Sequence, residues 1–239
     1  MGEKALIGGF IISGTLPKNV LVRAIGPSLP VTGALLDPTL DLYNSAGQTI
    51  ASDDNWMDQS NHEKIAGTHL APINEKESAI LMILSPGAYT AIVRGTNNST
   101  GIGLVEAYDV DLLSDSKLGN VSTRSFVQSG DRVMIGGLIV VGAGAQKVLV
   151  RALGPSLSVP DSLPDPIVDL YDGEGGLIGT NDNWRDSQAA EIQATNMAPV
   201  NDVESALIQT LAPGPYTAIV RGKNGASGVG LVEFYTLAQ

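Results

Sequence analysis

The sequence contains no cysteine, which excludes disulfide bonds, thiolate zinc sites and cysteine nucleophiles. Charged residues are also scarce: they make up 16% of the 239 residues, against roughly 25% in an average globular protein. Only 14 residues are Lys or Arg against 25 Asp or Glu, so the net charge is −11. Because nucleic-acid phosphates and anionic lipid headgroups repel such a chain, we expect it to bind neither.

No apolar run reaches the roughly 18 residues that a membrane-spanning helix needs, so we expect no membrane insertion. Hydrophobic residues nevertheless make up 43% of the chain, which is enough for a sizeable core. Aromatic residues are few, at 5%, whereas 28 Gly and 13 Pro supply many turns. This composition favours short strands joined by turns over long surface helices.

The most informative feature present is an internal repeat. Val20–Leu29 (VLVRAIGPSL) returns as Val148–Leu157 (VLVRALGPSL), and Asp53–Asp58 (DDNWMD) returns as Asn181–Asp186 (NDNWRD). The motifs PGAYTAIVRG and GIGLVEAY of the first copy return as PGPYTAIVRG and GVGLVEFY. Residues that occupy the same place in the two copies are called matched residues. The repeat predicts two homologous domains.

The predicted domains are residues 1–111 and residues 120–239, joined by a linker at 112–119. The apolar run Leu6–Ile12 resembles the core of a signal peptide, but Met134–Val140 matches it inside the chain. We therefore interpret both runs as buried strands. If the protein is exported, its signal was removed or precedes this sequence.

Short runs of alternating apolar residues predict an all-β fold class, with two tandem jelly-roll-like β-sandwich domains and one short helix in each. The helix would be capped by Asp58 or Asp186 and end near Gly67 or Thr195. The strands predicted in the first copy lie near residues 4–13, 19–25, 39–44, 48–52, 78–84, 88–94 and 102–110.

The two copies differ at their beginnings. Asn120–Val127 precedes the second copy and alternates like a β-strand, whereas the first copy begins almost at Met1 without such a lead-in strand. Either the chain is a fragment of a longer repeat array, or another chain supplies the strand that the first copy lacks. In the second case we expect a neighbouring subunit to donate the connector at 111–127 or its C-terminus. The candidate donor-strand residues are Val121, Thr123, Phe126 and Val127.

An acidic loop surrounds a tryptophan in both copies. Its carboxylate and amide oxygens are ligands that Ca²⁺ prefers, so a calcium site is one interpretation, and calcium is the one cofactor considered. The other interpretation is that these Asp and Asn side chains form turns and helix caps, with no cofactor. The candidate ligands are Asp53, Asp54, Asn55, Asp58, Asn181, Asp182, Asn183 and Asp186.

Arginines and glutamates recur at matched positions in or beside apolar strands. Because a buried guanidinium needs a carboxylate, we predict structural ion pairs that tie the two sheets of each domain together. The alternative is a glycosidase carboxylate pair such as Glu77 with Glu106, although nothing in the sequence indicates an acid of raised pKa in a cleft. The predicted ion-pair residues are Arg23, Glu77, Arg94, Glu106, Arg151, Glu204, Arg221 and Glu233.

Other catalytic patterns are weaker still. Ser28 and Ser156 lie in Gly-Pro-Ser-Leu, which is not a nucleophile elbow, and the histidines His62 and His69 have no counterparts in the second copy. We therefore predict that the protein is not an enzyme.

Trp56 and Trp184 suggest a different function. Exposed indoles are platforms on which sugars stack, and β-sandwiches often carry lectin-like sites. A carbohydrate-binding accessory module, with a polysaccharide as partner, is therefore the alternative function. It requires both indoles to be exposed.

Taken together, the motifs VLVRAxGPSL, DPxxDLY, NW, ESAIL, PGxYTAIVRG and GLVEAY resemble a tandem repeat module of large secreted or surface proteins of environmental bacteria. The Asn-Val-Ser-Thr-Arg lead-in at Asn120 fits the usual start of that module. Asp169–Trp184 and the later LAPGPYTAIVRG are also similar, more loosely, to bacterial pre-peptidase C-terminal domains. That second resemblance implies a jelly-roll-like accessory domain that can carry calcium in its loops. Neither resemblance implies catalysis.

These observations predict a non-enzymatic, extracellular structural or adhesive protein of the bacterial cell surface. We expect a homo-oligomer or polymer in which strand donation between subunits builds a head-to-tail filament.

Overall fold

The computed structural model of the chain contains two compact units. Ala5–Gly119 form the first unit, and the second begins at Asn120, where the sequence predicts the second copy to begin. Lys117–Gly119, which the sequence assigns to the linker, form the start of a strand instead. The residues that the structure describes are 5–111, 115–130 and 132–237, so residues 112–114 of the predicted linker lie outside them.

The first unit is a sandwich of two antiparallel sheets. Its elements, in chain order, are β1 (Leu6–Ser13), β2 (Lys18–Ile25), β3 (Pro38–Asn44), β4 (Thr49–Asp53), α1 (His62–Gly67), β5 (Ser78–Leu84), β6 (Gly87–Gly95) and β7 (Leu104–Asp109). The strand order is β4-β3-β6-β1 in one sheet and β5-β2-β7 in the other.

The second unit repeats this sandwich with one more strand. β8 (Lys117–Val127) crosses the boundary, and its residues from Asn120 onward belong to the second unit. The elements that follow are β9 (Met134–Val140), β10 (Gln146–Leu153), β11 (Pro166–Asp172), β12 (Leu177–Asn181), α2 (Ala189–Ala194), β13 (Ser205–Leu211), β14 (Gly214–Gly222) and β15 (Gly228–Thr236). The strand orders are β12-β11-β14-β9 and β13-β10-β15-β8.

The prediction of an all-β sandwich fold is confirmed. Each strand predicted in the first copy is present, with its ends within two residues of the predicted ones. Alternating side chains made these strands recognisable because successive residues of a strand point to opposite faces of its sheet.

β2 shows how the sequence builds the sandwich. Val20, Val22 and Ala24 point toward the other sheet and belong to the main core of the first unit. Leu21 points to the opposite face, where it lies in a second apolar cluster with Trp56. Because both faces of β2 are buried, the strand is a nearly continuous apolar run.

The helices begin later than predicted. The predicted caps were Asp58 and Asp186, but α1 follows Asn61 and α2 follows Gln188. Asp58 instead lies in a 3-10 turn that starts at Trp56. With six residues each, neither helix of the described residues is long enough to cross a bilayer.

The outermost strands that occur in both units are β4 and β5 in the first and β12 and β13 in the second, and all four are protected from further pairing. β4 and β12 have five residues each, and a register irregularity interrupts their pairing with β3 and β11. The Asn61 side chain donates to the Leu81 carbonyl of β5 at 3.0 Å. The Gln188 side chain both donates to the Ile208 carbonyl of β13 (2.9 Å) and accepts from its N–H (3.0 Å). Short, irregular or capped edges resist the addition of another strand.

Candidate strand-docking edge

The two units differ at the edge formed by their last strand. In the second unit β15 lies between β10 and β8, and eight residue pairs join it to β8, from Gly228–Val127 to Tyr235–Asn120. In the first unit the matched strand β7 pairs with β2, and no strand among the described residues pairs with its other side. We call Gly101–Tyr108, the residues matched to the β8-paired part of β15, the open edge.

Side chains at the open edge are less covered than their counterparts in the second unit. Ile102 is 43% exposed, whereas the matched Val229 is 3% exposed. Val105 is half-buried, whereas the matched Val232 is fully buried. The residue types are alike, and β8 pairs with β15 but not with β7, so the covering strand accounts for this difference.

The backbone of the open edge presents hydrogen-bonding groups. Val110 donates its N–H to the Asn19 carbonyl at 3.1 Å, so its peptide groups face β2. Peptide groups alternate in direction along an antiparallel strand. Those of Gly103, Val105 and Ala107 therefore face away from β2, where a further strand would pair with them.

β8 shows how such an edge is completed. The Asn120 side chain donates to the Phe234 carbonyl of β15 at 3.1 Å, and Val127 is fully buried in the core of the second unit. The candidate donor-strand residues thus complete their own sandwich, and their donation to another subunit stays a prediction. Their partners are Phe234 for Val121, Val232 for Thr123, Val229 for Phe126 and Gly228 for Val127.

The acidic loops are anchored by matched hydrogen bonds. Asp53 accepts from the Ala79 N–H at 2.7 Å, and Asn181 accepts from the Ala206 N–H at 2.9 Å. A carboxylate oxygen accepts this bond in the first copy and an amide oxygen accepts it in the second. The position therefore requires an oxygen acceptor and not a charge. Within the described ranges, no three His, Asp or Glu side chains form a group that could hold a metal.

The other candidate calcium ligands contact neighbouring side chains. Asn55 donates to Asp58 at 3.4 Å, and Asn183 donates to Asp186 at 3.0 Å. These contacts are typical of Asn and Asp in turns, the second interpretation offered by the sequence. The remaining two candidates, Asp54 and Asp182, contact the Thr96 hydroxyl (3.4 Å) and the Lys223 ammonium (2.7 Å).

The tryptophans are not the exposed platforms that sugar stacking on them requires. Trp56 is 9% exposed and Trp184 is 2% exposed, and each packs in the apolar cluster between a sheet and its helix. The Arg185 guanidinium also covers the Trp184 ring, 4.1 Å from its centroid. A buried indole offers no face to a sugar.

The four predicted arginines form ion pairs, but these join neighbouring strands of one sheet rather than two sheets. The prediction was wrong for Glu77 and Glu204, because the arginines pair with other carboxylates. Arg23 of β2 donates to Glu106 of β7 at 3.0 Å, and Arg94 of β6 binds Asp41 of β3 at 2.9 Å. The strands β2 and β7 are sheet neighbours, as are β3 and β6. The second unit repeats these pairs as Arg151–Glu233 and Arg221–Asp169.

The Arg23 ion pair extends into a small network. Arg23 also donates to the Leu70 carbonyl, and the Tyr108 hydroxyl donates to Glu106 at 2.6 Å. Burial, and then the hydrogen bond and charge of Glu106, raise the pKa of Tyr108 to about 12. Tyr235 has the same surroundings in the second unit, and its pKa is also raised to about 12.

Glu77 and Glu204 have a role that the sequence analysis missed. The Glu77 carboxylate is fully buried and accepts from the backbone N–H of Gly26 (3.1 Å), Ser28 (2.9 Å) and Asn74 (3.2 Å), and from the Ser28 hydroxyl (2.6 Å). Glu204 repeats this arrangement. The Gly-Pro-Ser motif is thus a cradle for a buried carboxylate. The motif and the glutamate recur together in both copies, and this recurrence was the sequence feature that could have indicated their contact.

These contacts also bear on the glycosidase alternative. Glu77 uses its carboxylate oxygens in four hydrogen bonds, and Glu106 is paired with Arg23. Both carboxylates are therefore engaged within the fold.

No family model and no curated protein matches this chain. Three solved viral structures are similar to it at low identity: a crystal structure titled as the STIV MCP, the atomic structure of Sulfolobus turreted icosahedral virus, and the VP2 subviral particle of infectious bursal disease virus. Their identities are 12%, 12% and 11%, and their TM-scores are 0.26, 0.24 and 0.22. The matches cover 97%, 99% and 96% of this chain, and 90%, 86% and 68% of the other chains.

We expect Asp53→Asn to stabilise the protein at neutral pH. Burial raises the pKa of Asp53 above its ordinary 3.8, so folding disfavours the ionised form. That cost is absent below pH 3.8 and develops as the pH rises through the folded-state pKa. The Gln59 amide donates to Asp53 at 2.7 Å, and after a half-turn it offers its oxygen to the new amide, so no two donors face each other. Thermal unfolding at neutral and acid pH measures the difference. Asn181→Asp, the matched control, should destabilise at neutral pH, and no shift in either variant would contradict the explanation.

We expect stability to fall as the pH rises from 10 toward 12. An unfolded tyrosine ionises near its ordinary pKa of 10.0, whereas Tyr108 and Tyr235 ionise in the folded protein only near 12. Urea unfolding across this range should show the loss, and Tyr108→Phe should reduce it. Tyrosinate absorbance gives an independent test: if all six tyrosines titrate together near 10, the proposed surroundings are wrong.

Glu204→Gln should lower the free energy of unfolding by roughly 1–3 kcal/mol, because buried donors lose a charged acceptor and one of them meets an amide nitrogen. Urea unfolding measures this change. Glu174→Gln, at an exposed position, is the control and should stay within about 0.5 kcal/mol of the wild type. An equally small effect of both substitutions would show that the cradle contributes no stability.

Proposed function

We propose that this protein is a non-enzymatic structural protein of the cell exterior that assembles with copies of itself by β-strand addition. The observation that carries the proposal is the open edge of β7, because β8 covers the matched edge of β15. A row of N–H and C=O groups without a partner strand is a template for a strand from another chain.

The open edge lacks the protection that the outermost strands β4 and β5 have. Asn61 caps β5, and a register irregularity interrupts β4. No such irregularity interrupts the pairing of β7 with β2. The edge also carries a single charged residue, Glu106, and that residue is paired with Arg23. Little charge therefore opposes the approach of another strand.

The second unit supports the proposal as an internal template. The counterparts of the open-edge residues in β15 form eight residue pairs with β8. Backbone hydrogen bonds would supply affinity, and the half-buried Val105 and Ala107 would gain the cover that Val232 and Phe234 have under β8. Strand addition would therefore give the sheet β5-β2-β7 a fourth strand, as β8 does for the matched sheet of the second unit.

The location outside the cell rests on the sequence motifs. The repeated VLVRAxGPSL, PGxYTAIVRG and GLVEAY segments resemble a module of secreted and surface proteins of bacteria. An adhesive role at that surface belongs to the same proposal. The carbohydrate-binding alternative has no comparable support, because both of its candidate platforms, Trp56 and Trp184, are buried.

Gly103→Pro should abolish assembly. The substitution removes an N–H that faces the open edge, and a Cβ at Gly103 meets no atom closer than 3.7 Å, so the fold should tolerate it. Light scattering over a concentration series should show the mass of the wild type rising and that of the variant remaining at one chain. A wild type that stays monomeric at the highest concentration would contradict the proposal.

Two further measurements separate assembly from folding. Gly230→Pro is the matched control: it faces β8 and meets Val127 at 3.2 Å, so it should lower the midpoint of thermal unfolding, whereas Gly103→Pro should not. A synthetic peptide with the sequence of Asn120–Val127 should bind the wild type and suppress its assembly, because it supplies the missing strand. Failure of the peptide to affect the mass distribution would count against the open edge as the acceptor.

A further inference from the structure

A second edge of the chain is open, and it lies in the other unit. β9 ends the sheet β12-β11-β14-β9, and no strand among the described residues pairs with its outer side. The matched strand β1 is bordered by the start of β8. A Cβ at Gly119 would lie 2.6 Å from the Ser13 hydroxyl, and the Ser116 hydroxyl donates to the Leu16 carbonyl at 2.7 Å.

The side chains of β9 reflect this difference. Ile135 is 56% exposed and Ile139 is 59% exposed. The matched residues of β1 are less exposed: Ile7 is half-buried and Ile11 is 37% exposed. Met134–Val140 contains no charged residue, and charged side chains are a common means of keeping a natural edge strand from pairing. β9 thus combines an apolar surface with an edge that nothing in the described part of the chain protects.

A count of strands identifies the partner of the open edge within a homopolymer. Among the described residues, the last strand of each unit has an edge that a lead-in strand can cover, β7 in the first unit and β15 in the second, and one lead-in strand is present, the Asn120–Val127 part of β8. If β8 moved to β7 of a neighbour, β15 of its own chain would be uncovered. Exchange of β8 therefore leaves one edge open in every chain. Each chain has one β7 edge and one β9 edge, so pairing these two satisfies both throughout the assembly.

We infer that β9 of one copy pairs with the open edge of β7 in the next copy. This inference rests on the proposed function and names the partner segment of the same edge. This contact brings two exposed isoleucines of β9, Ile135 and Ile139, close to the open edge. Ile102 and Leu104 are exposed there, so the contact removes apolar surface from water. Two different surfaces meet in it, so the contact is heterologous and propagates as a filament unless the rotation closes a ring.

The experiment uses a double variant, Ile135→Lys with Ile139→Lys, which places charges along β9 and leaves β7 intact. Light scattering should find this variant monomeric over the concentration range in which the wild type assembles. The control, Ile73→Lys with Ile83→Lys, places the same two charges on exposed isoleucines outside β9 and should leave assembly unchanged. Thermal unfolding of all three chains controls for folding.

A mixing experiment gives the decisive result. Gly103→Pro has an intact β9 and the double lysine variant has an intact β7, so each should be monomeric alone. An equimolar mixture should form a complex of two chains and grow no further, because each pair has one intact contact and no second one.

The outcomes separate this inference from the proposed function. If the double lysine variant assembles like the wild type while Gly103→Pro does not, strand addition at β7 holds and β9 is not the partner. If the double lysine variant forms a dimer alone, β7 edges pair with each other and the inference is wrong. If the wild type never assembles, the proposed function itself fails. A mixture that remains monomeric while the wild type assembles also overturns the pairing.

Discussion

The architecture of this protein depends on how each β-strand satisfies the hydrogen-bonding groups along its two edges. Interior strands do so by pairing, as β2 does with β5 and β7. The outer strands that both units share are short, irregular or capped by an amide side chain such as that of Gln188. β15 is covered by β8, which belongs to the same chain. β7 and β9 have none of these solutions among the described residues, and the proposed assembly follows from that.

The repeated polar motifs serve the same architecture. Glu77 holds the Gly-Pro-Ser loop through donors on Gly26 and Ser28, and Asp53 holds the acidic loop through the N–H of Ala79. In both cases a buried carboxylate accepts from a buried backbone N–H, that of Gly26 or that of Ala79, and such a group needs a partner away from water. Repeated acidic residues in an all-β chain therefore resemble ligand sites in sequence while they act as anchors in the structure.

Much of the fold could be predicted from local patterns. The alternation in Tyr89–Arg94 marks β6 because one face of the strand meets the core. The helix start was misplaced because Asp58 is a favourable cap by residue type. The residue before the helix is Asn61, whose side chain donates a hydrogen bond to β5. The burial of Trp56 could not be predicted either, since it depends on the helical segment folding back on the outer face of a sheet.

The sequence by itself determined the repeat, the strands and the lead-in strand before the second copy. These features are encoded in residues close together in the chain, so local periodicity and self-comparison reveal them. Only the tertiary structure decided which edges are covered, which arginine meets which carboxylate and that the indoles are buried. Those outcomes join residues that are distant in the chain, such as Asn120 and Phe234, and depend on sheet order and register, which no local pattern specifies.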